Sequence, residues 1–161
     1  MITIRSFEPS DQTFLWDMLY AAIFVPPGDA APPRAILTDP HLAHYAEAIG
    51  TRLGDVGWIA SLDGSRVGAV WLRLFSGGDP GYGFVDEHTP ELSIAVADGF
   101  RGTGLGTRLV ATAQAGVGRC SLSCDRRNPA LRLYQRAGFT VVSTDGDSHT
   151  MLYDPAHPTR A

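Results

Sequence analysis

A glycine-rich loop in the second half of the chain has the composition of an anion-binding turn. It reads Arg101-Gly-Thr-Gly-Leu-Gly106, follows a strand predicted at 91–97 and opens a predicted helix. The first amides of a helix lack intrahelical partners and carry partial positive charge, and glycines let an anion approach them closely. Arg101 adds a fixed charge and Thr107 a hydroxyl donor. The loop therefore predicts a phosphate site, with a tight packing turn as the alternative.

The rest of the sequence restricts which phosphate compound this loop can hold. The chain has no lysine, so a Walker A loop is excluded. A dinucleotide fingerprint nearly fits, with Gly102 and Gly104 in place but Thr107 at the third glycine, and Asp125 as a ribose partner. Too little sequence follows the loop, however, to build the remaining parallel strands of that fold. A nucleotide-dependent oxidoreductase is therefore a weak alternative.

A second motif follows one strand later and runs from Asn128 through Leu133-Tyr134 to Gly138-Phe139. Asparagine followed by proline is a typical helix start, with Asn128 as the N-cap, and Gly138 is typical of the residue after a helix end. The motif therefore predicts a short helix that carries Tyr134. Its ring either packs in the core beside its leucine neighbours or takes part in chemistry.

Basic residues are concentrated around these two motifs. All 13 basic residues are arginines, and seven of them lie between Arg101 and Arg136 together with one acidic residue, Asp125. That segment carries a net charge of +6 and the remainder −10. Such a distribution suggests a local anionic ligand, or a solvated helix surface. The net charge of −4 argues against general nucleic-acid binding.

Length and composition suit one globular domain covering residues 1–161. The longest apolar run, 18–25, is too short to span a membrane, and the first residues do not resemble a signal peptide, so we expect a cytoplasmic protein. Cys120 and Cys124 are spaced for neither a redox pair nor a zinc site, and we expect no metal.

Hydrophobic periodicity and turn residues predict one α/β domain with a mixed sheet. An Asp63-Gly64 turn between two apolar runs indicates a hairpin. The elements expected are strands at 2–6, 57–62, 67–75, 91–97, 120–124, 139–143 and 149–153, and helices at 11–24, 39–49, 105–116 and 128–137.

Taken together, the two motifs resemble the GNAT superfamily of acyl-CoA-dependent N-acetyltransferases. The family's first hallmark is Arg or Gln followed by spaced glycines, which here reads Arg101-Gly-Thr-Gly-Leu-Gly106. Its second is Asn, then Leu-Tyr on a helix, then Gly-Phe, which here reads Asn128, Leu133-Tyr134 and Gly138-Phe139. The resemblance implies a mixed, mostly antiparallel sheet with a splayed parallel strand pair and helices on both faces.

The resemblance also implies acetyl-CoA as cosubstrate and assigns residues to it. The loop amides would hold the pyrophosphate, and the edge of the preceding strand would pair with the pantetheine arm. Asn128 would contact that arm, act as a helix N-cap, or do both. A strand bulge typical of the family would aim the amide of Ala95 or Val96 at the thioester carbonyl. The implied cofactor-binding residues are Ile94, Ala95, Val96, Arg101, Gly102, Thr103, Gly104, Leu105, Gly106, Thr107 and Asn128.

Two residues are implied in catalysis. In the family a tyrosine at the position of Tyr134 protonates the leaving thiolate, and some relatives place a carboxylate at the start of the central strand, here Glu91, as a base acting through water. Glu87 and His88 lie just upstream as alternatives, and each also fits a solvated loop residue, which is the preferred interpretation for Glu87. No cysteine is placed as a nucleophile, which favours direct attack by the amine in a ternary complex.

The implied partner is a primary amine on a small molecule or peptide, with no nucleic acid or membrane, and a homodimer is one possible assembly. The acceptor region would lie between the first two helices and the loop before the central strand. An aromatic pocket with an acidic rim would suit a cationic amine, although these residues also fit an ordinary core and a solvated loop. They are Trp16, Tyr20, Phe24, Tyr45, Tyr82, Asp79, Asp86 and Glu87. A non-catalytic acyl-CoA sensor on the same fold is the alternative function.

Overall fold

Seven strands form one continuous sheet in the computed structural model, which describes residues 1–158. The last three residues of the expected domain, 159–161, lie outside the described residues. The strands are β1 Ile2–Ser6, β2 Val56–Leu62, β3 Ser65–Arg73, β4 Glu91–Val96, β5 Cys120–Asp125, β6 Thr140–Asp145 and β7 Ser148–Tyr153. Neighbouring strands follow the order β1-β2-β3-β4-β5-β7-β6, and β4–β5 is the parallel pair among the described strands, the other pairs being antiparallel. The predicted mixed, mostly antiparallel sheet is confirmed, and it differs from the doubly wound parallel sheet of a dinucleotide-binding fold.

Helices cover both faces of the sheet, as predicted. Leu105 and Leu109 of α3 (Leu105–Val117) pack with Val70 of β3 in one buried cluster, and Leu15 of α1 (Gln12–Ala22) packs with Trp71 in a second cluster on the other face. No helix in residues 1–158 is long and apolar enough to cross a membrane. The helices are α1 Gln12–Ala22, α2 Pro40–Ala43, α3 Leu105–Val117 and α4 Ala130–Arg136, with 3₁₀ turns at Pro9–Asp11 and Arg34–Thr38.

The parallel strands β4 and β5 are in register at one position and then separate. Glu91 lies opposite Ser121, whose amide donates to the carbonyl of Pro90 at 3.0 Å. Beyond that point the edge of β4 facing β5 has no strand partner among the described residues. The sheet therefore opens into a wedge, which is the splayed pair that the sequence resemblance implied.

The expected bulge in β4 is absent. The pairing of β3 with β4 runs without interruption from Gly68 opposite Val96 to Arg73 opposite Glu91. The nearest register shift lies one strand further away, between Ala60 and Ser61 of β2. An unbroken antiparallel ladder holds β4 straight, so the prediction of a bulge at Ala95 or Val96 was wrong.

The second helix is much shorter than predicted. It ends at Ala43 instead of residue 49, and the chain continues in turns, with φ of +49° at Ala48 and +96° at Gly50. Side chains from the sheet and α1 bind the carbonyls that a longer helix would use: Trp71 Nε1 donates to Tyr45 O at 2.7 Å, and Gln12 Nε2 to Ala46 O at 2.6 Å. These hydrogen bonds join residues that are distant in sequence, and they override the local helical pattern.

The buried guanidinium of Arg73 also binds the backbone of this segment. It donates to the carbonyls of His44, Glu47 and Ala48 at 2.7–3.1 Å and forms a two-armed pair with Asp55 at 2.8 and 3.0 Å. Both side chains of the pair are at most 1% exposed. Burial alone would raise the pKa of Asp55, but hydrogen bonds, above all from Arg73, bring it below its ordinary value. Segment 44–48 is therefore fixed to the end of β3.

Turn and cap chemistry was predicted more accurately. Asp63 and Gly64 both have positive φ, as a tight β2–β3 hairpin turn requires. Gly138, with φ of +96°, ends α4, and the next amide, of Phe139, donates back to Tyr134 O at 3.0 Å. Asn128 Oδ1 accepts from the amide of Ala130 at 3.0 Å, so it caps α4 even though the helix begins at Ala130.

The Asp55→Ala variant should lose about 3 kcal/mol of unfolding free energy, because it leaves the charge of Arg73 buried without its carboxylate. Urea denaturation at neutral pH measures this loss. Because the pKa of Asp55 is lowered by folding, its contribution exists at neutral pH and disappears as the pH falls into the acid range. The difference between wild type and variant should shrink accordingly.

The Glu47→Ala variant is the matched control, since that side chain is exposed on the same segment. It should unfold at the wild-type urea concentration. Equal stability of Asp55→Ala and Glu47→Ala would contradict the role given to the pair.

Candidate active site

A cleft of about 480 Å³ lies in the wedge between β4 and β5. It brings together four of the residues that the sequence resemblance assigns to catalysis or coenzyme binding: Glu91 and Ile94 of β4, Asn128 before α4, and Tyr134 of α4. These residues are distant in sequence. The parallel pairing at Glu91 brings them together, because it places β5 and the helix that follows it beside β4. A carboxyl group and a phenol therefore share one cavity.

The carboxyl group of Glu91 is buried, and only one of its two oxygens accepts hydrogen bonds from the described residues. Oε1 accepts from the hydroxyl of Tyr45 and from the amide of Gly83 at 2.8 Å. Oε2 is buried and has no hydrogen-bond partner among the described residues. Burial raises the pKa of Glu91 to about 7, against the lowering effect of those two hydrogen bonds. The group is therefore poised to exchange a proton near neutral pH.

Glycines let the loop before β4 close over this carboxyl group. A Cβ at Gly81 would overlap Glu91 Oε2 and lie 2.7 Å from the hydroxyl of Tyr45. A Cβ at Gly83 would lie 2.5 Å from the backbone of Leu122 in β5. The carbonyl of Gly83 accepts from Ser121 Oγ at 2.7 Å, so the loop joins β4 to β5 at the closed end of the wedge.

Tyr134 is half-buried on α4, with its ring edge against Phe139 at 6.0 Å between centroids. Gly106 allows α3 to approach α4, since a Cβ there would lie 3.1 Å from a methyl group of Leu133. Desolvation, with a smaller contribution from Cys124, raises the pKa of Tyr134 above its ordinary value. The phenol therefore keeps its proton at neutral pH.

Asn128 borders two cavities. Its Oδ1 is used by the helix cap, whereas Nδ2 makes no hydrogen bond within residues 1–158 and remains available to a ligand. The second cavity, of about 350 Å³, is lined by Arg126, Arg127 and Arg132 beside Asn128. This basic pocket next to the main cleft accounts for part of the positive charge that the sequence concentrates here.

The glycine-rich loop leads into α3 in the conformation that the glycines suggest. Gly102 and Gly104 have φ of +74° and +83°, and a Cβ built on either would meet nothing within 4 Å. Backbone conformation, and not crowding, therefore requires glycine here. Thr103 Oγ1 donates to Phe100 O at 2.5 Å, and the exposed Arg101 lies 3.8 Å from Asp98.

Beyond this loop, the first amides of α3 belong to Leu105, Gly106 and Thr107, which precede the first residue able to bond within the helix, Arg108. The side chain of Leu105 is buried in the core, so only its amide can meet a ligand, whereas Thr107 is exposed. The edge of β4 at Ile94, Ala95 and Val96 that faces β5 has no strand partner among the described residues, and the chain continues from it towards this turn.

The expected acceptor residues divide into two groups. Phe24, Tyr45 and Tyr82 line the cleft, and the rings of Tyr45 and Tyr82 stack at 6.3 Å. Trp16 is partly buried and packs against the core cluster on that face of the sheet, and Tyr20 donates to Pro32 O at 2.5 Å.

The acidic rim considered for the acceptor region is not formed around the cleft. Asp79 bonds to His44 Nδ1 at 2.9 Å, Asp86 bonds to Thr89 and Arg119, and Glu87 accepts from the amide of Gly77. None of the three lines the cleft.

Sequence reasoning missed three contributors to the site. Tyr45 was named as an aromatic wall and not as a partner of Glu91, the hydrogen bond from Gly83 to Glu91 was not expected, and Cys124 was considered only as a redox or zinc-binding residue although it lines the cleft. The presence of glycines on both sides of Tyr82 was the one available signal for close packing there. Burial raises the pKa of the Cys124 thiol to about 11, so it stays protonated.

The Tyr45→Phe variant should raise the pKa of Glu91 above about 7, because the lost hydrogen bond stabilises the ionised carboxylate. Titration of the Glu91 side-chain carbon by ¹³C nuclear magnetic resonance measures this directly. Tyr20→Phe, which removes a hydroxyl outside the cleft, is the control and should leave the titration unchanged. A pKa in Tyr45→Phe that is equal to or below the wild-type value would refute the link.

Solved structures share this architecture over nearly the whole chain. The structure of yncA from Salmonella typhimurium, solved with acetyl-CoA, is 21% identical, covers 100% of this chain and 98% of its own, and gives a TM-score of 0.66. The PaiA N-acetyltransferase of Thermoplasma acidophilum, solved with coenzyme A, is 17% identical, with coverage of 96% and 99% and a TM-score of 0.65. At these identities the likeness establishes the fold.

A GNAT-family acetyltransferase of Streptococcus pneumoniae is similar in the same way, at 19% identity, 94% and 98% coverage and a TM-score of 0.64. Comparison with curated proteins gives no significant sequence match. The family model described as "Acetyltransferase (GNAT) domain" matches residues 54–141, more than half of the chain, and this region includes Glu91, the glycine-rich loop and Tyr134. The resemblance seen in the two motifs is thereby confirmed, and the chain belongs to the GNAT acetyltransferase family.

Proposed function

We propose that this protein transfers an acetyl group from acetyl-CoA to the primary amine of a small molecule or peptide, by direct attack in a ternary complex. The observation that carries the proposal is the wedge between β4 and β5, in which Glu91 and Tyr134 line one cleft. One group has a pKa near neutrality and the other keeps its proton, which is the division of labour that acid–base catalysis needs.

The residues present fit coenzyme A as a substrate. The open space in front of Gly102 and Gly104 leaves the first amides of α3 accessible to a pyrophosphate, with Arg101 nearby. The free edge of β4 at Ile94–Val96 offers backbone groups to the amides of the pantetheine arm, and Asn128 Nδ2 offers a further donor. Acetyl-CoA, when bound, supplies an acyl carbon activated as a thioester.

Within the cleft, Glu91 would accept the proton that the amine loses, directly or through a water molecule. Tyr134 Oη would donate a proton to the thiolate of the departing coenzyme A. The amide of Ala95 or Val96 would stabilise negative charge on the carbonyl oxygen from an unbulged strand. Cys124 supports direct transfer, because a thiol with a pKa of about 11 is a poor nucleophile at neutral pH.

We also propose that residues 1–161 form a single catalytic domain, since the sheet is continuous from β1 to β7 in the described part. The alternative is a domain that binds acyl-CoA without turnover. Two measurements separate these functions: calorimetric titration with acetyl-CoA tests binding, and release of free coenzyme A thiol with a panel of amines tests catalysis. Binding without release would favour the sensor, and no binding at millimolar acetyl-CoA would exclude both.

The Tyr134→Phe variant should lower kcat by about 100-fold while the Kd for acetyl-CoA stays within about twofold, because the proton is needed only in the transition state. Steady-state kinetics and calorimetry give the two values. Tyr153→Phe, which changes a tyrosine packed against Phe139 outside the cleft, should match wild type in both. An undiminished kcat in Tyr134→Phe would remove Tyr134 from this role.

The wild-type kcat/KM should rise with pH and reach a plateau above about 7, because the ionised form of Glu91 is the base. In Glu91→Gln this limb of the pH profile should vanish, with a rate about 100-fold lower at pH 8. Glu87→Gln, which alters an exposed carboxylate four residues upstream, should keep the wild-type profile. A limb near pH 7 that survives in Glu91→Gln would assign it to another group.

A further inference from the structure

The acceptor end of the cleft is apolar apart from one carboxyl group. Its walls come from the end of α1, from α2 and from the loop before β4, and they consist of alkyl and aromatic side chains. The residues concerned are Leu19, Ala22, Ile23, Phe24, Leu42 and Tyr82. Tyr82 is 59% exposed at the mouth, with its ring stacked on Tyr45 deeper in the cleft.

Acidic side chains near this end are occupied elsewhere. Asp79 is paired with His44, Asp86 with Arg119, and Asp17 with Arg34 at 2.5 Å. None of them lines the cleft. Asp125, at the opposite end, lines the cleft but is held by Arg127 at 2.8 Å. These carboxylates are therefore not free to receive a second cationic group on an acceptor.

Glu91 differs from all of these carboxylates, because its partners are neutral. A hydroxyl and a backbone amide bind Oε1, and no cationic side chain among the described residues pairs with the group. In an apolar cavity its charge acts over several ångströms, so an ammonium group need not touch Oε2 to be attracted. The acceptor end thus offers one site for one positive charge.

On the basis of the proposed function, we propose that the acceptor is a small primary amine with a single positive charge and an apolar alkyl or aryl body. The amino group would lie towards Glu91 and the body against Phe24 and Tyr82. A second ammonium on the acceptor would lose hydration against the α1 wall without a carboxylate in return, so polyamines and other polycations are disfavoured. An apolar body of the same size gains from burial there.

Heptylamine and hexamethylenediamine test this directly, since they have the same number of heavy atoms and differ in one terminal group. Release of coenzyme A thiol should give a kcat/KM at least about tenfold higher for heptylamine. Calorimetric titration of each amine into protein saturated with coenzyme A should show the same order of affinity. Both compounds are measured at a pH where the second amino group of the diamine is charged.

The Ala22→Asp variant places a carboxylate in the α1 wall, at an exposed residue that lines the cleft. It should raise kcat/KM for hexamethylenediamine and lower it for heptylamine, which moves their ratio by about tenfold. Thr13→Asp adds the same charge at an exposed position of α1 that does not line the cleft, and it should leave the ratio at its wild-type value.

The outcomes separate this inference from the proposed function. A preference for the diamine, equal rates for both amines, or acetyl-CoA binding with neither amine acetylated would overturn the inference and leave the assignment of acetyl-CoA intact. Failure to bind acetyl-CoA would overturn both. A preference for heptylamine that Ala22→Asp reduces by about tenfold and Thr13→Asp leaves unchanged would establish the acceptor class.

Discussion

The buried guanidinium of Arg73 is the interaction on which the candidate active site depends. All five of its N–H donors are used, two on Asp55 and three on the carbonyls of residues 44–48. A planar group with donors in fixed directions can hold an irregular turn in one conformation, which a lysine could not do. That turn carries Tyr45, and Tyr45 fixes one oxygen of Glu91. The buried Arg73–Asp55 ion pair therefore fixes the position of the Glu91 carboxyl group indirectly, through the turn that carries Tyr45.

The wedge in the sheet adds a second constraint. Two parallel strands that pair at one position leave backbone groups unsatisfied along both edges, and such groups are costly when buried. At the Glu91 end of the wedge the protein covers this gap with its own chain, where Gly83 lies against β5 and its carbonyl accepts a hydrogen bond from Ser121. Towards the other end of β4, its edge facing β5 stays without a strand partner among the described residues. The covered end fixes the carboxyl group of Glu91, and the unpaired edge of β4 leaves backbone groups available to a ligand.

Much of this architecture could be predicted from local sequence. The Asp63-Gly64 turn, the Asn128 cap and the Gly138 helix end follow from backbone conformations that few residue types adopt, so each was placed correctly. The order of strands and helices followed from periodicity.

The hydrogen bonds that build the site could not be predicted in this way. Tyr45 and Glu91 are 46 residues apart, and nothing in the local pattern of either indicates a bond between them. The same applies to the end of α2: residues 44–49 read as helix, yet Arg73, Trp71 and Gln12 bind their backbone from other elements. Tertiary hydrogen bonds determined both results, and local propensity is a weak guide where they act.

One physical effect, desolvation, raises the pKa of both groups to which the proposed mechanism assigns a proton transfer. It raises the pKa of Glu91 towards neutrality, where a carboxylate becomes a stronger base, and it raises the pKa of Tyr134, so that the phenol remains an acid with its proton in place. In the proposed mechanism the two shifts have the same sign but opposite catalytic meaning, since Glu91 would take a proton and Tyr134 would give one. Hydrogen bonds from Tyr45 and Gly83 limit the shift of Glu91, whereas Tyr134 has no such partner within residues 1–158. Burial of both groups, with hydrogen-bond donors aimed at only one of them, therefore separates the proposed base from the proposed acid.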